Sequence, residues 1–214
     1  MSANTVQNEG AEEKVRMDPG YIFTLGVRLF LTCVVVAGLL GLVNQVTLPN
    51  ITRINREKTE AAMEAVVPEG VEAEFSDALD LTDAMTAAAS SMGGTLTAAY
   101  QITEGGQDAG YALTVVASGS QGNIEMMVGV DENDVVTGVS IVTNSETPGI
   151  GSRVMSNEPT ASGTPVLDQF IGKSAADGPL TVGSNIDAIS GATVSSRGVT
   201  AGTNAALAVA AVLE

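Results

Sequence analysis

The longest apolar stretch of the chain lies near its N-terminus and predicts a helix that crosses a membrane. No residue from Leu29 to Thr52 is charged, and residues 29–43 read LFLTCVVVAGLLGLV. About 20 apolar residues suffice for a helix to span a bilayer, so we expect one transmembrane helix over residues 19–48. A cleaved signal peptide is the alternative, but the run is long for one and residues 44–47 (NQVT) lack a small-residue cleavage pattern. The polar residues 1–18 are expected to form a disordered tail.

After the anchor the pattern predicts a helical stalk. Asn50 is a suitable N-cap and the Pro68–Gly70 segment a suitable stop, so a helix is expected from Asn50 to about Val67. The residues that fall near helical spacing are Ile51, Ile54, Lys58, Ala61, Ala62 and Ala65. Residues 71–94 are acidic and alanine-rich and are expected to be a connection with one or two helical turns. Residues 49–94 would therefore be a stalk helix and connection.

The pattern then changes to that of short strands. Residues 96–103, 111–117, 124–130 and 135–142 are rich in Val, Ile, Thr and Tyr and are separated by glycine-rich or Asp/Asn-rich turns. Four consecutive strands with tight turns predict an antiparallel sheet. A short helix is expected at residues 166–171, and small apolar residues over 195–213 predict a closing helix that packs on the sheet. The predicted class is α+β, with one folded domain over residues 95–214.

Charge and composition exclude several kinds of function. The formal net charge is −16, and no Lys or Arg occurs between Thr59 and Ser152, so the acidic surface excludes nucleic-acid binding. The chain has no histidine, and its one cysteine, Cys33, lies in the apolar run. Catalysis by Ser-His or Cys-His pairs is thereby excluded, and no metal site is expected. Redox chemistry would need an organic cofactor.

The basic residues do not decide the orientation of the anchor. Six of the nine bracket the apolar run, three on each side: Lys14, Arg16, Arg28, Arg53, Arg56 and Lys58. Because the positive-inside rule depends on an asymmetry of these charges, it leaves both orientations open.

The segment before the closing helix is the candidate site. Small residues at Ser190, Gly191 and Ala192 would let another molecule approach the backbone, and Thr193 places a hydroxyl near a helix N-terminus. Free N–H groups and the helix dipole favour a phosphate there. The alternative is that Thr193, Ser195 or Ser196 is only the N-cap of the helix.

This segment resembles a known motif. Asp-x-x-Ser-Gly-Ala-Thr-x-Ser, from Asp187 to Ser195, is similar to the flavinylation motif of the FMN-binding domains in the G subunit of the Rnf complex and the C subunit of the sodium-pumping NADH:quinone oxidoreductase. The resemblance implies that a flavin transferase cleaves FAD, releases AMP and leaves FMN esterified to Thr193. It also implies that Asp187 is read by the transferase, and that the neighbouring cofactor-binding residues are Ser190, Gly191, Ala192 and Ser195.

A second stretch resembles the same family. Residues 146–151, ETPGIG, are similar to the Glu-Thr-Pro-Gly-Leu-Gly stretch that follows the central strands of these subunits and forms part of the flavin surroundings. The implied cofactor-binding residues are Glu146, Thr147, Pro148, Gly149, Ile150 and Gly151. Proline and glycine here would permit close approach to a flat ring. The chain departs from the pattern in two places, since Ile150 replaces Leu and Asn144–Ser145 replace a histidine.

The resemblance, which spans nearly the whole chain, implies an electron carrier. The chain would be the G subunit of a membrane-bound, Rnf-type complex that couples electron transfer between ferredoxin and NAD+ to Na+ or H+ translocation, with no catalytic residue of its own. Its partners would be the other subunits, the flavin transferase and the lipid around a single-pass anchor in the cell membrane. The tail would be cytoplasmic and the FMN-binding domain extracytoplasmic. The alternatives are the C subunit of the quinone-reducing enzyme and a flavin-free, membrane-tethered scaffold.

Overall fold

A computed structural model describes residues 19–67 and 70–213 of the chain. The expected tail at residues 1–18 lies outside the described residues, as do Pro68 and Glu69 of the expected stop. The chain divides into two compact units at the boundary between Thr52 and Arg53, and each is described by itself.

The first helix, α1, runs from Pro19 to Val66. By length and composition it is the one helix in the described part of the chain that could cross a membrane, and its most apolar window is wholly unburied. The membrane-helix prediction is therefore confirmed at that level. Pro49 lies inside the helix, so Asn50 does not cap a new one, contrary to the prediction.

Of the six residues at near-helical spacing, Ala62 is the one that is buried. Ala62 and Val66 are buried, whereas Ile51 and Ile54 are 44% and 43% exposed. Thr137 donates a hydrogen bond of 2.6 Å to the carbonyl of Val66. The end of the helix is held by this hydrogen bond together with the packing of Ala62 and Val66 in one apolar cluster with Ile102, Ala112 and Met127. The local spacing does not reveal these contacts.

The folded domain is built on a five-stranded sheet. The strands are β1 (Ala73–Phe75), β2 (Gly94–Glu104), β3 (Gln107–Ser118), β4 (Asn123–Val130) and β5 (Val136–Asn144), and they lie in chain order. Every neighbouring pair is antiparallel. The four predicted strands are confirmed, and β1 was missed. Its three residues are too few to carry a strand pattern, and pairing with the end of β2 holds them.

Helices cover both faces of this sheet. Alternate residues Leu113, Val115 and Ala117 of β3 pack in one core with α2 (Asp83–Ser91) and α4 (Thr193–Leu213). Ala112 lies in the second core, with Ala62 and Val66 of α1. This division follows from the two-residue period of a strand, which sends successive side chains to opposite faces. The α+β prediction is confirmed, and α2 is longer than the one or two turns expected.

The long connection from β5 to α4 holds little regular structure. It contains α3 (Ser152–Met155) and two 3-10 turns, Asp168–Phe170 and Ala175–Asp177. The helix predicted at residues 166–171 is thus a single 3-10 turn. Phe170 from this turn is fully buried in the main core together with Val166 and Leu167, so apolar side chains anchor the segment. The closing helix was predicted from Ser195 and begins at Thr193.

Candidate flavin site

The first turn of α4 begins without a side-chain cap. Ser196 donates its backbone N–H to the carbonyl of Ala192 at 3.0 Å, which makes Ala192 the N-cap residue and Thr193 the first helical residue. Alanine has no oxygen with which to cap, and is disfavoured at this position. Among the described residues, the N–H groups of Thr193, Val194 and Ser195 have no acceptor. Three adjacent donors therefore stand open at the positive end of the helix dipole.

The hydroxyl groups of Thr193, Ser195 and Ser196 near this terminus differ in their hydrogen bonds, and none acts as the N-cap. Ser195 Oγ donates to Glu146 Oε2 at 2.6 Å, and Ser196 Oγ donates to the carbonyl of Ala192 at 3.1 Å. Thr193 is partly exposed, and its hydroxyl has no partner in the described part of the chain. The capping alternative is therefore wrong, and Thr193 has the one free hydroxyl of the three.

The turn that leads into α4 keeps the space beside Thr193 open. Gly191 has φ +84°, a left-handed conformation that residues with a Cβ adopt at a cost. A Cβ built on Gly191 would meet nothing within 4 Å. Ser190 is exposed as well, whereas Ala192 is buried. The structure thus places Ser190 and Gly191 on an open surface, and Ala192 beneath it.

Glu146 joins the two predicted motifs. Glu146 is 7% exposed. Its Oε1 accepts hydrogen bonds from the N–H groups of Ser120 at 2.7 Å and Gln121 at 3.3 Å. Its Oε2 accepts one from the hydroxyl of Ser195. Any Cβ on Gly119 or Gly151 would collide with this carboxylate, so both glycines are required for the fit. One side chain therefore connects the β3–β4 turn, the Glu146–Gly151 stretch and α4.

The rest of the Glu146–Gly151 stretch faces outward. Thr147, Pro148, Gly149 and Ile150 are exposed, and the N–H of Ile150 donates to the carbonyl of Thr147 at 3.2 Å to close a turn. Gly149 has φ +77° in this turn. These four residues are therefore accessible to a ligand, whereas Glu146, Gly151 and Ser195 are buried and hold the stretch in place. Direct cofactor contact, predicted for all of them, stays a prediction.

Val194 was missed at the sequence level. It is 51% exposed and Ile150 is 53% exposed. Val194 is thus an exposed apolar side chain in the first turn of α4, and Ile150 is one in the Glu146–Gly151 stretch, which Glu146 ties to α4. The signal that could have found Val194 is an apolar side chain in the first turn of a helix whose next two residues face the core.

Asp187, the predicted recognition residue, has its backbone fixed by two hydrogen bonds. Gln169 accepts from the N–H of Asp187 at 2.8 Å and donates to its carbonyl at 3.1 Å. The carboxylate itself is exposed and has no hydrogen bond or ion pair with any described residue. An exposed, unpaired acid on a fixed backbone is available to a second protein.

The described residues offer no alternative metal chemistry near Thr193. No group of three acidic or cysteine side chains in them could hold a metal ion. A cavity of about 330 Å³ lies at the other end of the strands, lined by residues such as Ile102, Asp108 and Asp131. Thr193 does not line that cavity, and the exposed Ser190 and Gly191 beside it face solvent.

A comparison with known protein families matches the part of the chain that holds these residues. Residues 119–208, which run from the glycine beside Glu146 into α4, match the FMN-binding domain family. The residues present fit a phosphate-linked flavin, because they combine a free hydroxyl, unpaired N–H donors and an exposed apolar surface. The resemblance noted from the sequence is thus confirmed.

Curated relatives extend the match to nearly the whole chain. The chain is 33% identical to the G subunit of the Na+-translocating ferredoxin:NAD+ oxidoreductase complex of Acetobacterium woodii, over 92% of this chain and 96% of the relative. It is 28% identical to the G subunit of the ion-translocating oxidoreductase complex of Methanosarcina acetivorans, over 81% and 86%. It is 36% identical to the corresponding protein of Aliivibrio fischeri, over 47% and 49%. The chain therefore belongs to the family of G subunits of ion-translocating oxidoreductase complexes, and its globular domain is an FMN-binding domain.

Proposed function

We propose that this chain is the electron-carrying G subunit of a membrane-bound, Rnf-type ferredoxin:NAD+ oxidoreductase, and that it carries FMN joined through its phosphate to Thr193. The observation that carries the proposal is the start of α4. There the hydroxyl of Thr193 has no partner among the described residues and lies beside three N–H groups that have no acceptor among them. A phosphate at that position would accept from these donors and would lie at the favourable end of the helix dipole.

The attachment is a phosphoryl transfer made by a separate flavin transferase. The Thr193 Oγ–phosphorus bond forms as the pyrophosphate bond of FAD breaks, and AMP leaves with the bridging oxygen and the hydroxyl proton. We propose that the exposed carboxylate of Asp187 is a recognition point for this transferase. The flavin so attached is retained through repeated cycles of oxidation and reduction.

Flavin supplies the redox chemistry, since its ring exchanges one or two electrons. The chain positions and surrounds it. Ile150 and Val194 offer an apolar surface for the ring, and Thr147, Pro148 and Gly149 form the turn beside it. Glu146 and Ser195 would act indirectly, because their hydrogen bond keeps this turn against α4.

The anchor and the relatives support a place inside a membrane complex. The apolar part of α1 would cross the membrane once, surrounded by lipid and by other subunits, with the FMN-binding domain on the extracytoplasmic side. Electrons would pass through the flavin between carriers held by those subunits, and the complex as a whole would couple the transfer to Na+ or H+ translocation.

Flavin fluorescence of the denatured full-length chain on a gel tests the proposal. We expect a fluorescent band when the flavin transferase is co-expressed, and an intact mass increased by one FMN. Thr193→Ala should be dark, whereas Thr181→Ala, which alters an exposed threonine outside the motif, should fluoresce like the wild type. A dark wild-type band from the co-expression strain would contradict the carrier and favour the flavin-free scaffold, and a labelled Thr193→Ala would contradict the site.

A further inference from the structure

The few basic residues of the folded domain are concentrated at the proposed attachment site. After Lys58 the sequence has only Arg153, Lys173 and Arg197, in a chain of net charge −16. Arg153 follows the Glu146–Gly151 stretch, and Arg197 lies on α4. Two of the three cations therefore flank Thr193, which an even distribution over the domain would not produce.

Arg153 approaches the site from the loop side. Its Nη1 donates to the carbonyl of Ser190 at 3.4 Å, three residues before Thr193. Its Nε donates to Glu158 at 2.7 Å, and the side chain is 38% exposed. Since a guanidinium has five N–H donors, these two contacts orient the group and leave donors free.

Arg197 approaches from α4 itself. Residues four apart on a helix are neighbours on one face, and long side chains lean toward the N-terminus, so Arg197 lies over the turn that begins at Thr193. The residue is exposed, and no described residue forms a hydrogen bond or ion pair with its side chain. A cation would otherwise be unfavourable near the positive end of the dipole, which an anion at Thr193 would offset.

We propose that Arg153 and Arg197 bind the phosphate of the flavin attached to Thr193, one from each side. This inference rests on the proposed function. The phosphodiester keeps one negative charge, and two guanidinium groups match it in charge and hydrogen-bonding geometry. In a domain this acidic, the arginine pair (Arg153 and Arg197) supplies the local positive potential that holds the phosphate and limits its motion.

The test is a thermodynamic cycle on the full-length chain in detergent, produced with and without the flavin transferase. The variants are Arg153→Gln, Arg197→Gln and the double variant, with Lys173→Gln as a matched loss of one charge away from Thr193. The measured quantity is the Tm of the flavinylated form minus the Tm of the flavin-free form, which isolates the interaction between side chain and phosphate.

We expect this Tm difference to fall by about 2–4 °C for each arginine removed and to stay unchanged in Lys173→Gln. The 31P resonance of the attached phosphate should shift in both arginine variants and not in the lysine control. Glu158→Gln removes the ion-pair partner of Arg153 but leaves the positive charge of Arg153 in place. It should lower both Tm values together and preserve their difference.

The outcomes separate the two levels of the inference. An unlabelled wild type contradicts the proposed function itself. A labelled wild type, with equal Tm differences and an unmoved 31P resonance in all variants, leaves the proposed function standing and overturns the arginine pair. If Glu158→Gln reproduces the effect of Arg153→Gln on the Tm difference, Arg153 acts only through its ion pair, and its assignment is wrong.

Discussion

Two helices pack against the same face of the sheet, yet they begin in different ways. α2 is closed by its own residues, since the Thr82 hydroxyl accepts from the N–H of Met85 at 3.3 Å and the Met85 sulfur accepts from the N–H of Thr82. α4 begins at Ala192, which cannot cap, and its first turn is held by Glu146 from 49 residues away. The capped start is stable by itself, whereas the uncapped start leaves polar groups open for chemistry.

The largest effect is expected when Thr193 and Thr82 are each replaced by alanine. Thr193→Ala should abolish covalent flavin completely while changing the unfolding free energy by no more than about 0.5 kcal/mol, because its hydroxyl has no partner among the described residues. Thr82→Ala should do the reverse, with full labelling and a loss of about 1 kcal/mol from the missing cap. Intact mass and chemical denaturation measure the two quantities. Equal loss of stability in both variants would show that Thr193 is also structural.

Substitutions of the acidic residues near the two helix starts, Asp187 and Asp83, should also differ in their effects on flavinylation and stability. Asp187→Ala should slow flavinylation by about ten- to a hundredfold, which corresponds to the loss of one charged hydrogen bond to the transferase, about 1.5–3 kcal/mol. Asp83→Ala in the first turn of α2 should leave the rate unchanged and cost about 0.3–1 kcal/mol of stability through the helix dipole. The rate is measured with purified transferase and FAD. An unchanged rate for Asp187→Ala would remove this acid from the recognition site.

Glu146→Ala tests the external support of α4. The variant would leave the Ser195 hydroxyl and the N–H of Ser120 without their acceptor. Ser195 is buried, and a buried unpaired group costs about 1–3 kcal/mol, whereas the exposed Ser120 can bind water instead. We expect a lower unfolding free energy and reduced flavinylation, because the turn at residues 147–150 is no longer held against α4. The exposed Glu132→Ala is the control and should change neither. A stable Glu146→Ala with normal labelling would mean that α4 needs no external support.

The contrast between the two helix starts also explains what the sequence could and could not predict. The central strands and α4 follow from local pattern, and Thr193 could be proposed as the attachment site because its motif is contiguous. The link from Glu146 to Ser195 joins residues far apart in the chain, so only the folded sheet brings them together. The three-residue β1 and the contact of Thr137 with Val66 were missed for the same reason, since tertiary contacts and not propensity determine them.

The smallest effect is expected from giving α4 the cap that it lacks. Ala192→Ser would place a hydroxyl at the N-cap, where it can accept from the N–H of Val194 or Ser195, and should stabilise the flavin-free chain by about 0.5–1 kcal/mol. In the flavinylated chain the phosphate would already accept from these donors, so the gain should vanish. Thr82→Ser, which keeps an existing cap, is the control and should leave both forms unchanged. Equal stabilisation of both forms in Ala192→Ser would show that the phosphate does not use the helix N–H groups and is held by side chains alone.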